Sequence, residues 1–364
     1  MPPIPGARRA AFLEAIEPLP KTEARRLSAL ARSVERWFVA HHRPLPWRLA
    51  YDPYQIWVSE VMLQQTRMEV VVDRYFYRFL ERFPDIATLA RSSEAQVLAA
   101  WSGLGYYRRA RMLREGAIHL VRLHKGQLPR DIEALRAVPG IGRYTAGAIA
   151  SIAFDERAAI VDGNVARVMA RLERIEEAYG SAAFIRKSWA AAERLVGAAK
   201  SPRNMNQGLM ELGALVCIPR APRCPSCPLR NHCRGRASGQ ADRLPVRRAA
   251  LENRALRVDL YVVRATDGSV LMEQATGTLM TGMYHLPQTS GLFESAGASF
   301  SPGPRLGGFR HTITNRRIQF NVHAAELENV ADGPGDFFWV DPQRLASVPH
   351  PSYVRKALGI AGLL

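Results

Sequence analysis

Residues 135–151, LRAVPGIGRYTAGAIAS, decide the fold of the N-terminal part of the chain. Their PGIG turn is too tight for a helix, yet the residues after it have a helical pattern. Glycines let backbone amides approach a ligand closely, and the start of a helix favours an anion. The stretch therefore predicts a helix, a glycine hairpin and a second helix that can bind a phosphate. A lone Gly-x-Gly is more often only a turn.

The flanking sequence falls into a helical part and an alternating part. From about Glu23 to Leu215 the apolar spacing is mostly helical, with Pro and Gly separating short segments. After about Ala255, residues 256–274 predict a hairpin around Asp267–Gly268, and further strands and a final helix are predicted at 312–327, 336–340 and 352–360. We expect a multi-domain protein, with an all-α part followed by a smaller α+β domain.

The chain is strongly basic. It has 50 Lys and Arg against 33 Asp and Glu, which gives a formal net charge of +17. Such an excess favours a polyanionic partner, first a nucleic acid and second an anionic membrane surface. No stretch approaches the roughly 20 apolar residues of a transmembrane helix. Residues 1–26 have no apolar core with a cleavage site, so we expect no signal peptide and a cytoplasmic protein.

All four cysteines lie in one short segment, CIPRAPRCPSCPLRNHC. Cys217, Cys224, Cys227 and Cys233 have the spacing C-x6-C-x2-C-x5-C. Two disulfides are a poor explanation because nothing else in the chain indicates secretion. Four clustered thiolates suit a metal site, and their chemistry fits either tetrahedral zinc or an iron–sulfur cluster.

Two carboxylates stand in distinctive surroundings. Glu60 lies within a bulky apolar stretch, IWVSEVMLQQTR (56–67), where a helix would align it with Gln64 and Arg67 as a solvated stripe or bury it as an acid. Asp162 precedes the helical stretch GNVARVMARL and is a favoured N-cap. At a helix N-terminus the dipole would also help to keep this carboxylate ionised.

Seven motifs in a fixed order resemble the MutY family of adenine DNA glycosylases, within the helix–hairpin–helix superfamily of endonuclease III. They cover roughly residues 30 to 235: PLPWR (44–48), VSEVMLQQTR (58–67), WSGLGYYRRAR (101–111), VPGIGRYTAGAI (138–149), VDGNVARV (161–168), NQGLMELGALVC (206–217) and the cysteine loop. The resemblance implies an all-α glycosylase core and a 4Fe–4S cluster on the four cysteines. It also implies a double-stranded DNA partner with adenine opposite 8-oxoguanine or guanine, no membrane partner, and a monomer.

Composition, patterning and the resemblance together give the domain boundaries. We expect an N-terminal extension (1–28), a glycosylase core (29–234) that contains the helix–hairpin–helix and the cluster loop (217–233), a linker (235–254) and a Nudix-like domain (255–364). Between the cysteines, Arg220, Arg223 and Arg230 either present positive charge to a phosphate backbone or are ordinary solvated surface charges.

The residue roles follow by resemblance. Glu60 would protonate N7 of an extruded adenine, and Asp162 would stabilise the cationic sugar. Tyr144 would hydrogen-bond near that sugar. It stands where bifunctional relatives have the lysine of G-x-G-x-K-T, so the resemblance implies base removal without strand cleavage. The remaining matches are polar positioning residues, an adenine pocket, duplex wedges and phosphate-binding glycines: respectively Asn164 and Gln207; Trp47, Arg48 and Leu63; Gln65 and Tyr106; Gly140 and Gly142.

The C-terminal part resembles the Nudix-like domain with which this family inspects 8-oxoguanine. GMYHLPQ (282–288) is similar to the family's L-W-E-F-P pattern, and FRHTITNRR (309–317) to its R-H-T-F-S-H. Ile313, Thr314 and Asn315 replace Phe-Ser-His. Thr314 and Asn315 keep hydrogen-bonding groups that could recognise 8-oxoguanine, and a tight polar turn without a ligand is the alternative. No spaced glutamates of a pyrophosphatase are present. Two alternatives stay open: an endonuclease III-like glycosylase of other damaged bases, and a non-catalytic DNA-binding protein.

Overall fold

The computed structural model describes residues 20–247, 254–275, 283–288, 298–313, 316–330, 337–348 and 350–364. The chain forms two compact units, Met1–Arg248 and Ala249–Leu364, which we call the first and the second unit. In the described residues, no helix is long and apolar enough to cross a lipid bilayer.

The described part of the first unit is helical, as the apolar spacing predicts. Side-chain caps begin many of these helices: Asp52, Asp85, Ser93, Asp131, Asp162, Ser181 and Ser201 each accept a hydrogen bond from the backbone N–H three residues further on. The α-helices are α1 Lys21–His41, α2 Pro53–Leu63, α3 Met68–Val71, α4 Tyr77–Arg82, α5 Ile86–Arg91, α6 Glu94–Ala100, α7 Arg108–His124, α8 Ile132–Arg136, α9 Arg143–Ala148, α10 Gly163–Glu173, α11 Ala182–Gly197, α12 Pro202–Leu215 and α13 Arg234–Ala237.

Two hydrophobic clusters form the core of the first unit. One surrounds α2 with side chains of α3 to α9, and the other joins α1 to α10, α11 and α12. Helix α2 is mostly apolar, and every residue from Ile56 to Met62 is buried, Ser59 and Glu60 included. A solvated stripe along α2 is therefore wrong: Glu60 is 5% exposed, and Arg67 lies beyond the end of the helix.

The glycine hairpin lies between α8 and α9. Gly140 has φ +81°, and a Cβ there would lie 2.8 Å from the Cβ of Met112. Both the left-handed backbone and the contact with α7 therefore require glycine at this position. Gly142 is exposed at the N-cap of α9. A π-helical turn, Ile149–Ala153, follows α9 and lies against α2 and α12.

The helical core extends beyond both of its predicted boundaries, residues 29 and 234. Helix α1 begins at Lys21, and Leu27 is buried in the core, so residues 21–28 are not an extension. The linker predicted at 235–254 is partly wrong as well. Residues 235–247 belong to the first unit, because the buried guanidinium of Arg171 binds the Leu244 carbonyl and Val246 accepts from the Tyr179 amide.

The second unit contains six strands and α14 (Ser352–Ile360) in its described part. The strands are β1 Arg254–Val263, β2 Val270–Gln274, β3 Tyr284–His285, β4 Ala298–Ile313, β5 Arg316–Val330 and β6 Phe337–Val340. They form two sheets, β1-β5-β4, with β1 parallel to β5, and β3-β2-β6, which is antiparallel. Apolar residues of both sheets and α14 form its core. The predicted α+β character is confirmed.

The predicted hairpin at 256–274 is wrong in its pairing. The turn forms, since the Asp267 carboxylate accepts from the Ser269 amide and hydroxyl. Beyond a single bridge between Arg264 and Val270, however, β1 and β2 pair with different sheets. Each strand finds its partner later in the sequence, and a local turn cannot determine that choice.

Candidate active site

A cavity of about 680 Å³ opens between α2, α9, the start of α10 and α12. Its volume is in the range of small-molecule and cofactor sites. Nine of the residues singled out in the sequence line it, although they come from five separate motifs of the chain: Trp47, Arg48, Glu60, Leu63, Gln65, Tyr144, Asp162, Asn164 and Gln207.

Glu60 is held in this cavity as a weak acid. Its carboxylate accepts a 2.8 Å hydrogen bond from the Tyr144 hydroxyl. Burial raises the pKa of Glu60 to about 7. The Tyr144 bond and the charge of Arg48 oppose this rise, and the charge of Asp162 adds to it. Glu60 therefore keeps its proton close to neutral pH, as a general acid must.

Asp162 is the second carboxylate of the cavity. Its Oδ1 caps α10 by accepting from the Val165 amide at 2.7 Å, and its Oδ2 accepts from Asn164 Nδ2 at 3.2 Å. The cap confirms the predicted start of the helix. The helix N-terminus is expected to keep this carboxylate ionised. Burial outweighs that effect and raises the pKa of Asp162, although the hydrogen bonds from Val165 and Asn164 lower it.

Glu211, which was not identified from the sequence, binds two arginines in one wall of the cavity. The side chain of Glu211 is buried and accepts from Arg43 Nε at 2.7 Å, from Arg43 Nη2 at 3.0 Å and from Arg48 Nη2 at 3.2 Å. Arg48 Nε also donates to Gln207 Oε1 at 3.0 Å. The carboxylate keeps its charge, since these arginines lower the pKa of Glu211 to about 2 against the effect of burial.

Sequence reasoning missed Glu211 and Arg43, although both lie beside residues it identified. Glu211 follows Gln207 by one helical turn of α12, so the spacing in NQGLMELG could have placed the two on one face. The pairing with Arg43 joins the segment before α2 to α12. Only the tertiary fold brings these segments together.

Hydrogen bonds connect the cavity to the cysteine loop. Asn164 Oδ1 accepts from Arg167 Nη2 at 2.8 Å, and Arg167 Nε donates to the Cys217 carbonyl, also at 2.8 Å. A displacement of the loop would therefore shift the side-chain amide of Asn164, which donates to Asp162.

The four cysteines line one small cavity. Arg171, which is 2% exposed, fixes the start of the loop by donating to the carbonyls of Cys217, Ile218 and Pro219 and to the Cys217 sulfur. Within the described residues, no three His, Cys, Asp or Glu side chains are grouped as ligands of a single metal ion. Four thiols around a shared cavity nevertheless fit the donor set of a sulfur-ligated cluster.

Gln65 lies at the edge of the cavity, and the predicted residues that do not line it lie elsewhere in the fold or outside the described residues. Tyr106 is 61% exposed and has φ +51°, and Gln65 at the edge of the cavity is exposed with φ +57°. Gly140 and Gly142 are in the hairpin between α8 and α9. Thr314 and Asn315 lie outside the described residues, whereas Ile313 ends β4 and is buried.

Chemically, the cavity combines a carboxyl that keeps its proton near neutral pH, Glu60, with a second carboxylate, Asp162. Such a pair can protonate a leaving group and stabilise the cation that remains, as in glycoside hydrolysis. Tyr144 supplies a hydroxyl that is hydrogen-bonded to Glu60. In the described lining of the cavity no lysine is present, so no amine there can form a Schiff base.

Comparison with known proteins agrees with this chemistry. Residues 58–193 match the family model for the HhH-GPD superfamily base excision DNA repair protein. The adenine DNA glycosylase of Rattus norvegicus is 44% identical over 217 residues, which are 57% of this chain and 42% of the rat protein. That of Homo sapiens is 42% identical over 227 residues, 60% of this chain and 41% of the human protein. The chain thus spans less than half the length of these relatives.

The fold has a counterpart among solved structures. A thermostable thymine-DNA glycosylase superposes with a TM-score of 0.53 at 26% identity, over 60% of this chain and 100% of that protein. The covered share is close to the size of the first unit. In sequence and in fold, the first unit is therefore similar to the HhH-GPD superfamily of base excision DNA repair proteins and, by identity, to its adenine DNA glycosylases.

Proposed function

We propose that the protein is a monofunctional DNA glycosylase that removes adenine mispaired with 8-oxoguanine or guanine in double-stranded DNA. One observation carries the proposal: Glu60, with a pKa of about 7, shares a cavity with Asp162 and lies 2.8 Å from the Tyr144 hydroxyl. The curated relatives that match the chain are named adenine DNA glycosylases.

The reaction begins with extrusion of the adenine, because its reactive atoms are inaccessible within a stacked duplex. Trp47, Arg48 and Leu63 form the pocket for the base. Glu60 then donates its proton to N7, and the bond between N9 and the sugar breaks as the neutral base leaves. Asp162 stabilises the oxocarbenium-like sugar, and water completes the hydrolysis. Asn164 and Gln207 hold polar groups around the base and the water.

DNA contacts are proposed for surfaces outside the cavity. Gln65 and Tyr106 are both exposed and would enter the duplex beside the extruded base. Gly140 and Gly142 would bring backbone amides to a phosphate. Arg220, Arg223 and Arg230 of the cysteine loop are exposed as well, which suits a contact with the phosphate backbone.

The cysteines would hold a 4Fe–4S cluster. Support comes from the four thiols around one cavity and from the resemblance of their spacing to the cluster loop of this family. When bound, the cluster supplies rigidity to the loop. Arg171 and Arg167 hold the loop at Cys217.

For the second unit we propose a Nudix-like domain that recognises 8-oxoguanine through Thr314 and Asn315. The two sheets and α14 support a compact α+β domain, and β4, which contains the R-H-T segment (310–312), ends at Ile313 immediately before these residues. Alanine at both positions should reduce the preference for 8-oxoguanine over guanine. An unchanged ratio of the two single-turnover rates would reject this assignment.

The central test is an excision assay on duplexes with adenine opposite 8-oxoguanine, opposite guanine and opposite thymine. The expected product is an abasic site that appears as a nick only after alkaline treatment and is lost in Glu60→Gln. Nicking without alkali that borohydride traps would favour an endonuclease III-like enzyme instead. Binding without any abasic product would indicate a non-catalytic DNA-binding protein.

A further inference from the structure

We infer that Arg109 is a positioning residue, which holds Gln65 and Tyr106 together as one preformed wedge; the inference rests on the proposed function. Gln65 follows the C-terminus of α2, and Tyr106 precedes α7. These segments are far apart in the sequence, and Arg109, in the first turn of α7, hydrogen-bonds to both.

The first half of the contact is with the end of α2. The last carbonyls of a helix lack partners within the helix. Arg109 Nη1 donates to the carbonyl of Val61 at 2.8 Å and of Met62 at 3.0 Å, and then to that of Gln64 at 2.5 Å. Nη2 reaches Thr66 Oγ1 at 3.3 Å. Arg109 therefore binds the chain on both sides of Gln65.

The second half of the contact is with the segment before α7. Arg109 Nη2 donates to the carbonyl of Gly105 at 3.2 Å, and the same oxygen accepts from the buried Trp101 Nε1 at 3.1 Å. The guanidinium also lies 5.4 Å from the ring centre of Tyr106 and 5.5 Å from that of Trp101. These cation–π contacts orient the exposed Tyr106 ring from one side.

The backbone of the wedge explains why such a clamp is needed. Gln65 and Tyr106 both have positive φ, which costs a non-glycine residue of the order of 1–2 kcal/mol. An exposed residue has few packing contacts to maintain that conformation. Shared hydrogen bonds from one half-buried guanidinium fix both segments before DNA arrives, which lowers the ordering cost of binding.

Only arginine can make this set of contacts. Its planar fork directs several N–H groups at once, whereas a lysine ammonium has three donors on one atom and cannot stack on two rings. Arg109→Lys should keep the charge but uncouple the two segments. The loss of activity should arise at extrusion of the base and not at protonation, since Arg109 is not among the groups that set the pKa of Glu60.

The test uses the full chain and a duplex with 2-aminopurine in place of the mispaired adenine. Fluorescence of 2-aminopurine rises when the base leaves the stack, and an adenine duplex gives the single-turnover excision rate. We expect Arg109→Lys to lower the extrusion signal and the excision rate by about tenfold or more, equivalent to about 1.4 kcal/mol. The pH at which the rate falls on the alkaline side should not move.

Arg111→Lys is the matched control, because Arg111 is on the same helix and pairs at the surface with Glu94. It should extrude the base like the wild type. Normal extrusion by Arg109→Lys would overturn the inference, and so would a loss accompanied by a shifted alkaline limb, since that indicates a general structural defect. A wild-type protein that extrudes 2-aminopurine but never yields an abasic site would reject the proposed function instead.

A double-mutant cycle covers the case in which Arg109→Lys fails to fold. If Arg109 couples the two segments, the effects of Gln65→Ala and Tyr106→Ala on extrusion should be non-additive, because either change already breaks the wedge. Additive effects in the wild-type background would show two independent contacts and would overturn the inference.

Discussion

The Tyr144 hydroxyl donates a 2.8 Å hydrogen bond to the buried carboxylate of Glu60. This bond stabilises the ionised form of Glu60, whereas burial and the nearby charge of Asp162 destabilise it. The balance leaves Glu60 with a pKa of about 7. Tyr144 thus limits how far burial can raise the pKa of the proposed acid.

Excision should follow a bell-shaped pH dependence. Glu60 must be protonated, so the single-turnover rate should fall as the pH rises through about 7. Asp162 must be ionised, and its raised pKa should place the acidic limb above the ordinary range of an aspartate. Rates measured from pH 4 to pH 9 on one mispair test both limbs. A rate that keeps rising above pH 8 would contradict the role of Glu60.

Tyr144→Phe should move the alkaline limb to higher pH. The substitution removes a hydrogen bond that lowers the pKa of Glu60, so the acid should hold its proton longer. The pH profile of the variant, compared with that of the wild type, measures the effect. Tyr54→Phe is a suitable control, because its buried hydroxyl binds the Phe83 carbonyl away from the cavity.

Glu60→Gln should abolish most activity yet stabilise the protein. Loss of the general acid should reduce the rate roughly 10²–10⁴-fold. The pKa of Glu60 rises on folding from 4.5 to about 7, so its ionisation destabilises the native state by roughly 3 kcal/mol above pH 7. Below the ordinary glutamate range it is protonated in both states and this cost vanishes.

Urea denaturation of the wild type and of Glu60→Gln at pH 5 and at pH 8 measures this difference. The stabilising effect should be larger at pH 8. An equal effect at both pH values would mean that Glu60 does not change its protonation on folding.

Glu211→Gln should destabilise the fold and disorder the cavity wall. Removing one partner leaves the charges of Arg43 and Arg48 unpaired, and breaking a buried ion pair costs about 3–5 kcal/mol. Because folding lowers the pKa of Glu211 to about 2, its contribution is complete above the ordinary glutamate range and declines as the pH falls towards 2.

Glu133→Gln is the control for Glu211→Gln. Glu133 pairs with Arg136 at the surface, and such pairs contribute about 0–1 kcal/mol. Thermal denaturation at neutral pH should separate the two variants clearly. Similar melting temperatures for both would contradict the structural role of Glu211.

Removal of the proposed cluster should loosen the first unit. Cys227→Ser removes one of the four thiolates that would hold the cluster. The substitution should therefore abolish visible absorption near 400 nm and lower the midpoint of thermal unfolding. A protein that contains zinc, established by metal analysis, would reject the iron–sulfur assignment while leaving a metal-bound loop.

The sequence by itself determined the helical elements, the glycine hairpin and the Asp162 cap, because each depends on neighbouring residues. The left-handed backbone of the turn requires glycine at residue 140. An aspartate before a helix caps that helix wherever it packs in the fold. The clustering of the four cysteines in one short segment likewise follows from the local sequence. Motif order also supplied nine residues of the cavity before their positions were known.

Only the tertiary structure decided what depends on contacts between distant segments. Burial by surrounding helices, which α2 does not encode alone, makes Glu60 an acid near neutral pH. The pairing of Arg43 with Glu211 and the carbonyls gathered by Arg109 join segments that no local pattern connects. In the second unit, β1 and β2 diverge into separate sheets because the choice of strand partner is a long-range property.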